Sequence, residues 1–401
     1  MKSSWEYKRL IDLGTFSRGI SKHRPRNDQI LFTNGKYPFV QTSDVKKANL
    51  YIKSNSEFYN EVGLSQSKLW PKGTLCITIA ANIAETGILA YPMCFPDSIV
   101  GFTANEKFSS ELFMYYVFEY LKQQIQNQAS GSIQDNINIE YLTNLKIRIP
   151  DKKSQDTISD LLSTLDTKII NNNAIAQQLE AMVKTIYDYW FLQFEFPNEE
   201  GKPYKSSGGK MVWNEELQRE IPTGWDSAKL KDVIIENPKS KIKVSDVKDN
   251  GEIPFFTSGA NILATSEPIV SGMNCYLNTG GNADVKYYYG EASYSTDTWC
   301  ITAEDEMKYI LPFILDKIKP SMDKVFFQGT GLRHLQKNLL REYRLCIPDK
   351  KVAKEFTKVV RNIFKQQHNL WKENKKLESL KQFLLPLLMN GQVSVGNSNK
   401  L

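Results

Sequence analysis

The stretches LKIRIPDKKSQDTI (residues 145–158) and YRLCIPDKKVAKEF (residues 343–356) nearly coincide, and their reading decides the fold. Each ends an apolar run on Ile-Pro-Asp-Lys-Lys and enters a long segment of helical character. Proline disfavours helix in the residue before it, so the preceding strand stops at Ile149 or Ile347. Pro150 and Pro348 are tolerated at a helix start, where the missing N–H would have no partner. Asp151 and Asp349 can then cap the helix and favour its positive end. Locally this is only a strand-to-helix joint, but the duplication extends further. At the same offset of 198, Gly131 matches Gly329, Ser132 matches Thr330, Ile137 matches Leu335 and Leu142 matches Leu340. PFVQTSD (38–44) resembles PFFTSGA (254–260) at an offset of 216, and Trp5, Leu10 and Asp12 match Trp225, Leu230 and Asp232 at 220. Drifting offsets are what loop insertions produce. The chain is two copies of one unit, each a mixed domain followed by a helix.

Within each domain short strand signals such as GTLCITIA (73–80) and NCYLNTGG (274–281) are separated by Gly, Pro, Asn and Ser turns. Helical patches lie between them, including SSELFMYYVFEYLKQQI (109–125) and MKYILPFILDKI (307–318). The class is therefore α/β in a mixed α+β sense. After the joints, Ile158, Leu162, Leu165, Ile169, Asn172, Ala176, Leu179, Val183, Ile186 and Trp190 alternate steps of four and three. Phe356, Val359, Ile363, Gln366, Leu370, Glu373, Leu377, Leu380, Leu384 and Leu387 do the same. Such spacing is a coiled-coil seam, with polar Asn172, Gln366 and Glu373 placed to fix register or partner. The two helices pairing with each other is the simplest closure; packing against another subunit is the other. The boundaries expected are a first domain over 1–150, a helix over 151–195 and an exposed linker over 196–221. A second domain over 222–348, a second helix over 349–390 and a loosely ordered tail over 391–401 follow.

A chain of 401 residues, 41% hydrophobic and 11% aromatic, is too long for one core and can bury two. No apolar run reaches the roughly 20 residues of a membrane span. The five cysteines are scattered, as expected for reduced thiols in a cytoplasm. Three histidines without neighbouring ligands argue against a metal site, and no Walker, G-x-G-x-x-G or G-x-S-x-G motif occurs. Asp349 with Glu373 and Lys375 imitates a nuclease pattern, but about 24 residues of helix separate the two carboxylates by about 36 Å. No catalytic residue, metal or cofactor is expected of this chain.

Binding chemistry remains. A net charge of +6 is compatible with nucleic acid. Loops of the first domain offer Arg18, Lys22, Arg24, Arg26, Gln41, Thr42, Ser43 and Lys46. Those of the second offer Lys239, Lys241, Lys243, Thr257, Ser258, Asn261, Asn282 and Lys286. Arg and Lys suit phosphates and guanine edges, Asn and Gln suit adenine, and Ser and Thr suit either. Taken singly each loop reads as solvated surface; recurrence in two repeated domains is what raises them.

Taken in order, the domain-opening tryptophans, KYPFVQTSD (36–44) with its partner at 253–260, ASGSIQDNI (129–137), both IPDKK joints and IYDYWFLQFEFPNEEGKPYKSSGGKMVWNEELQREIPTGW (186–225) resemble the specificity subunit of type I restriction–modification systems. The resemblance covers essentially the whole chain. It implies two target-recognition domains, each reading half of a split double-stranded DNA site. It also implies two long antiparallel coiled-coil helices, related by a pseudo-twofold, that act as spacer. Two modification subunits would dock on the helices and bring S-adenosylmethionine and adenine methylation. Restriction subunits would add ATP-driven translocation and cleavage; the specificity chain itself would be non-catalytic and would not meet a membrane. A helix of about 39 residues is about 58 Å long, which caps the separation of the readers at about 17 base pairs. The half-sites should be asymmetric, because the repeats differ most in their loops. The rival expectation is a stand-alone two-domain DNA-binding regulator, which would bind its site tightly without partners.

Overall fold

Both Ile-Pro-Asp joints fold as their chemistry dictates. In the computed structural model, which describes residues 5–130 and 137–395, the strand Lys146–Ile149 ends at the first joint and helix Lys152–Tyr187 follows. The strand Arg344–Ile347 ends at the second, and helix Lys350–Met389 follows. The Ser154 N–H donates to Asp151 Oδ1 at 3.1 Å and the Lys351 N–H to Asp349 Oδ1 at 2.7 Å, so both aspartates cap. Each joint strand pairs antiparallel with the strand after an opening tryptophan: Glu6 lies opposite Ile149, and Asp226 opposite Ile347. The repeat matches at Gly131 and Ser132, and most of ASGSIQDNI, lie outside the described residues.

The chain divides into two units. The first comprises residues up to Ile170 and from Leu377 onward. Its sheet runs in the order Gly14–Arg18, Ile99–Ala104, Leu75–Thr78, Thr86–Leu89, Tyr51–Ile52. The second, Asn171–Lys376, has the order Ile234–Glu236, Thr298–Ala303, Met273–Asn278, Val285–Tyr289. Four strands therefore repeat in the same order; the parallel edge strand Tyr51–Ile52 belongs to the first unit alone. Successive side chains of a strand face opposite sides of its sheet. Leu75 and Ile77 accordingly join one core and Cys76 another, as Cys275 and Leu277 do against Tyr276. A sheet covered on both faces explains why these strands read as unbroken apolar runs. The helices Glu111–Ser130 and Met307–Ser321 cover one face. Met114, Val117, Phe118 and Leu121, spaced by three and four, supply the first unit's stripe.

Three expectations change. The buried stripe of the second long helix is Ala353, Phe356, Val360 and Phe364 rather than the heptad line through Val359 and Ile363; Val359 is 43% and Leu380 44% exposed. The helix serves the domain core beside it as well as its partner helix, so its apolar face is broader than a coiled-coil seam and rotated from it. Of the other seam positions, Leu162, Ile169 and Phe356 are buried. Leu165, Leu179, Ile186, Ile363, Leu370, Leu377 and Leu384 are half-buried. Second, the stretch over 196–221 is no plain exposed linker. Phe194 and Phe196 are buried against Trp225, and Met211–Asn214 forms a hairpin with Arg219–Pro222. Third, Thr257 and Lys286, read as loop donors, are withdrawn into the fold, as described below.

Candidate nucleic-acid interface

In the second unit, loops far apart in sequence meet at one end of the sheet. Thr279 donates through Oγ1 to the Asp297 carbonyl at 2.9 Å, and Ser258 Oγ donates to the same oxygen. The Leu335 N–H donates to the Thr279 carbonyl at 3.0 Å, the Gly281 N–H to Arg333 at 2.9 Å and the Thr296 N–H to Ile242 at 3.0 Å. The loops carrying Lys239, Lys241, Lys243, Ser258, Asn261 and Asn282 are thereby tied into one surface. Lys239, Lys241, Lys243 and Asn261 are exposed, and the three lysines make no ion pair among the described residues. Unpaired, solvated ammonium groups of this kind suit phosphates. Thr257, by contrast, is buried and closes its own turn, donating to the Asn261 carbonyl at 3.2 Å and accepting from the Gly259 N–H at 3.1 Å. Lys286 is held by the Thr257 carbonyl at 3.2 Å and by Asp284 at 2.9 Å, which leaves its side chain 13% exposed. Both side chains are structural cross-links because a polar group near a core must be hydrogen-bonded.

The same end of the first unit is built alike. The Ile79 N–H donates to Ser98 at 2.9 Å and the Ile137 N–H to Ile79 at 2.9 Å, the counterparts of Thr279 to Asp297 and Leu335 to Thr279. Arg18, Lys22 and Ser43 are exposed and Thr42 is half-buried; Thr42 opens the short helix Thr42–Lys47. Arg26 pairs with Asp97 at 2.7 Å, and Arg24 lies 3.7 Å from the same carboxylate. That carboxylate offsets part of their charge. Gln41 donates through Nε2 to Glu57 at 2.5 Å and receives the helix from the other side, so its role is positional. Lys46 Nζ donates to Asn82 Oδ1 at 3.2 Å. Asn82, Arg333, Thr279 and Asp297 escaped the sequence reading; Arg333 sits in a glycine-bearing stretch that reads as a turn. The signal for Asn82 was present in the correspondence of the two hairpins that carry Asn82 and Asn282; Arg333 and Asp297 lie outside those hairpins.

Each unit also holds a section of both long helices, packed antiparallel. In the second, Asn172 donates to Asn374 Oδ1 at 2.9 Å and to Glu373 at 2.8 Å, and Gln367 donates to the Ala176 carbonyl at 3.2 Å. In the first, Lys381 Nζ lies 2.7 Å from Asp166 Oδ1 and Tyr116 Oη donates to Asp166 Oδ2 at 2.7 Å. Burial raises the Tyr116 hydroxyl's pKa well above its usual value, so it remains a donor. Asp349 and Glu373, the nuclease lookalikes, are thus a cap and a helix-to-helix acceptor.

Among the described residues no cluster of three or more His, Cys, Asp or Glu could hold a metal, and no helix is long and apolar enough to cross a membrane. Cys76, Cys94, Cys275 and Cys300 are buried, and desolvation pushes the Cys300 thiol up to about 12. These thiols pack within the cores.

Against this geometry, comparison with known proteins is consistent along the whole chain. The family model described as "Type I restriction modification DNA specificity domain" matches residues 2–181 and 222–381, once per repeat. The chain is 24% identical to the type I restriction enzyme MjaIX specificity subunit of Methanocaldococcus jannaschii over 98% of its own length and 94% of the relative's. It is 21% identical to the HindI specificity subunit of Haemophilus influenzae over 95% and 98%. The crystal structure of the S subunit of the type I restriction–modification system from M. genitalium shares its fold, with a TM-score of 0.59, 15% identity and 96% of both chains covered. The chain belongs to the family of type I restriction–modification DNA specificity subunits.

Proposed function

We propose that each α/β domain reads one half of a bipartite, asymmetric double-stranded DNA site while the paired helices set the unread spacer and dock modification subunits. The partition is a first reading domain over 1–150, a helix over 151–195, a connector over 196–221, a second reading domain over 222–348, a helix over 349–390 and a tail. The observation that carries this reading is the duplication itself. Two domains with the same four-strand order each pass through the same Ile-Pro-Asp joint into a long helix. Two copies of a reading unit with unlike loops address two unlike half-sites. The exposed Arg18, Lys22, Lys239, Lys241 and Lys243 bind phosphates, and hydrogen-bonding loop residues read base edges. The chain supplies specificity in the cytoplasm. Two modification subunits supply methylation with S-adenosylmethionine, and restriction subunits supply ATP-driven cleavage.

The test is to replace residues 222–346 with the corresponding segment of another specificity chain and map methylated adenines in cells carrying the modification subunit. One half of the motif should change and the other persist. Change in both halves overturns the modular reading. Tight, sequence-specific binding by the purified chain alone would instead support a stand-alone regulator.

A further inference from the structure

One loop position is built identically in the two units although the residues that build it differ. The hairpin between Leu75–Thr78 and Thr86–Leu89 reads AANIAE over 80–85, and that between Met273–Asn278 and Val285–Tyr289 reads GGNAD over 280–284. Strand register aligns Ile77 with Leu277, since each is the residue opposite the start of the returning strand. Asn82 therefore corresponds to Asn282. The residue before each asparagine is left-handed: Ala81 has φ 51° and Gly281 has φ 83°. For an alanine that conformation costs about 1–2 kcal/mol, and it persists only where the surroundings hold it. The first repeat thus carries strain to keep its asparagine where the second places its own through a glycine.

Each side chain is also engaged by a cation, through unlike elements. Asn82 Oδ1 accepts from Lys46, which arrives on the short helix Thr42–Lys47. Asn282 Oδ1 accepts from Arg333 Nη2 at 2.5 Å; Arg333 arrives from the segment before Leu335 and is itself held by Asp323 at 3.1 Å. A turn function explains neither amide. What closes each hairpin is the asparagine's main-chain carbonyl, which accepts from Thr78 Oγ1 in one unit and from Asn278 Nδ2 in the other. Any residue could supply that carbonyl. The Nδ2 groups make no hydrogen bond among the described residues, Asn82 is half-buried and Asn282 exposed. Each unit therefore presents, on its loop-bearing end, an amide whose oxygen is engaged by a cationic side chain and whose two donors are free.

Resting on the DNA-reading function above, we propose that Asn82 and Asn282 are specificity-determining residues, each reading a guanine in its own half-site. An asparagine with both groups free pairs bidentately with adenine, donating to N7 and accepting from N6. With Oδ1 already engaged by a cation, whose charge repels the N6 amino group of adenine, the amide presents chiefly its donors. The base edge offering two adjacent acceptors in the major groove is guanine, through N7 and O6. The adjacent positive charge of Lys46 or Arg333 favours the same edge.

The experiment uses the chain assembled with its modification subunits and compares the parent with Asn82→Asp and Asn282→Asp. Aspartate keeps the cation through an ion pair and removes both donors. Each variant should alter or erase a single guanine position in one half of the methylated motif and leave the other half unchanged. Methylation of the parent site should fall about ten- to a hundred-fold. Asn82→Ala and Asn282→Ala, which retain the hairpin-closing carbonyl, should alter the same positions. An unchanged motif with rates within about twofold for both substitution types overturns the proposal, as does an altered position that is not guanine or a change in both halves. If the parent complex itself methylates no bipartite motif, the underlying reading fails and this inference falls with it.

Discussion

Where each domain's packing helix meets the long helix that follows it, the two units solve one problem in opposite ways. In the second unit Phe313 and Phe364 stack at 6.2 Å. Aligning the buried runs 113–118 and 310–315 puts Tyr116 and Asp166 at the corresponding positions of the first, joined by a 2.7 Å hydrogen bond, with Lys381 of the second long helix completing the group. The surrounding frame is the same: Ile158, Leu162 and Ser159 are buried as Phe356, Val360 and Thr357 are. One backbone arrangement thus accommodates an apolar contact and a buried ion pair. The lesson is that the fold of the repeat is set by strand order and by the positions that are buried, not by the chemistry at any one of them.

Breaking that comparison should have the largest effect on the polar side. Lys381→Met leaves Asp166 without its cation at a site where the two side chains are 12% and 19% exposed. It should cost about 3 kcal/mol in urea unfolding, because an uncompensated buried charge remains. Replacing the whole group, Asp166→Leu with Lys381→Met and Tyr116→Phe so that no buried hydroxyl is orphaned, should recover most of the loss, as apolar substitution of a buried pair usually does. A triple variant as unstable as the single one would show that the ion pair itself, not the orphaned charge, matters. A smaller pair of effects with opposite signs tests the hairpins. Ala81→Gly should gain about 0.5–1 kcal/mol by relieving a left-handed alanine. Gly281→Ala should lose about 1 kcal/mol, all of it backbone strain, since an added Cβ there meets no atom within 4 Å. Equal signs would mean that the two loops are not equivalent. The smallest effect concerns the joints. Asp151→Ala should cost about 1 kcal/mol of cap energy near neutral pH. The Ser154 N–H holds the Asp151 carboxyl below its usual pKa. A lowered folded pKa means this contribution is present above about pH 4 and is lost as the pH falls through the folded value, so the parent and variant should converge in acid.

Much of this architecture is readable in the chain. The joints are legible because proline geometry and aspartate capping act over three or four residues, and the duplication because whole segments recur in order. The first long helix's stripe is legible because the seam positions Ile158, Leu162 and Ile169 are the buried ones, with neighbouring Leu161 and Ile170 packed at its flank. The second misled because Val359 and Val360, and Ile363 and Phe364, offer two adjacent apolar lines. Contacts with Tyr287, Tyr309 and Phe313 select Phe364. The connector misled because its charge and glycine mask Phe194 and Phe196, whose burial depends on Trp225.

The candidate readers divide along the same physical line. Composition marks basic and hydrogen-bonding loops, but free and committed side chains look alike there. Lys241 and Lys286 differ only in what surrounds them, and Asn282 gains meaning only when Arg333, 51 residues later, occupies its acceptor. By itself the sequence determined two repeats, their mixed α/β class, their joints and the presence of two long helices, because those follow from local dihedral preference, capping and periodic burial. The tertiary structure alone decided which helix face is buried, which loop donors are spent within the fold and which asparagine oxygens accept from a cation. Those outcomes depend on partners distant in sequence, whose meeting is fixed only once strands pair and cores close.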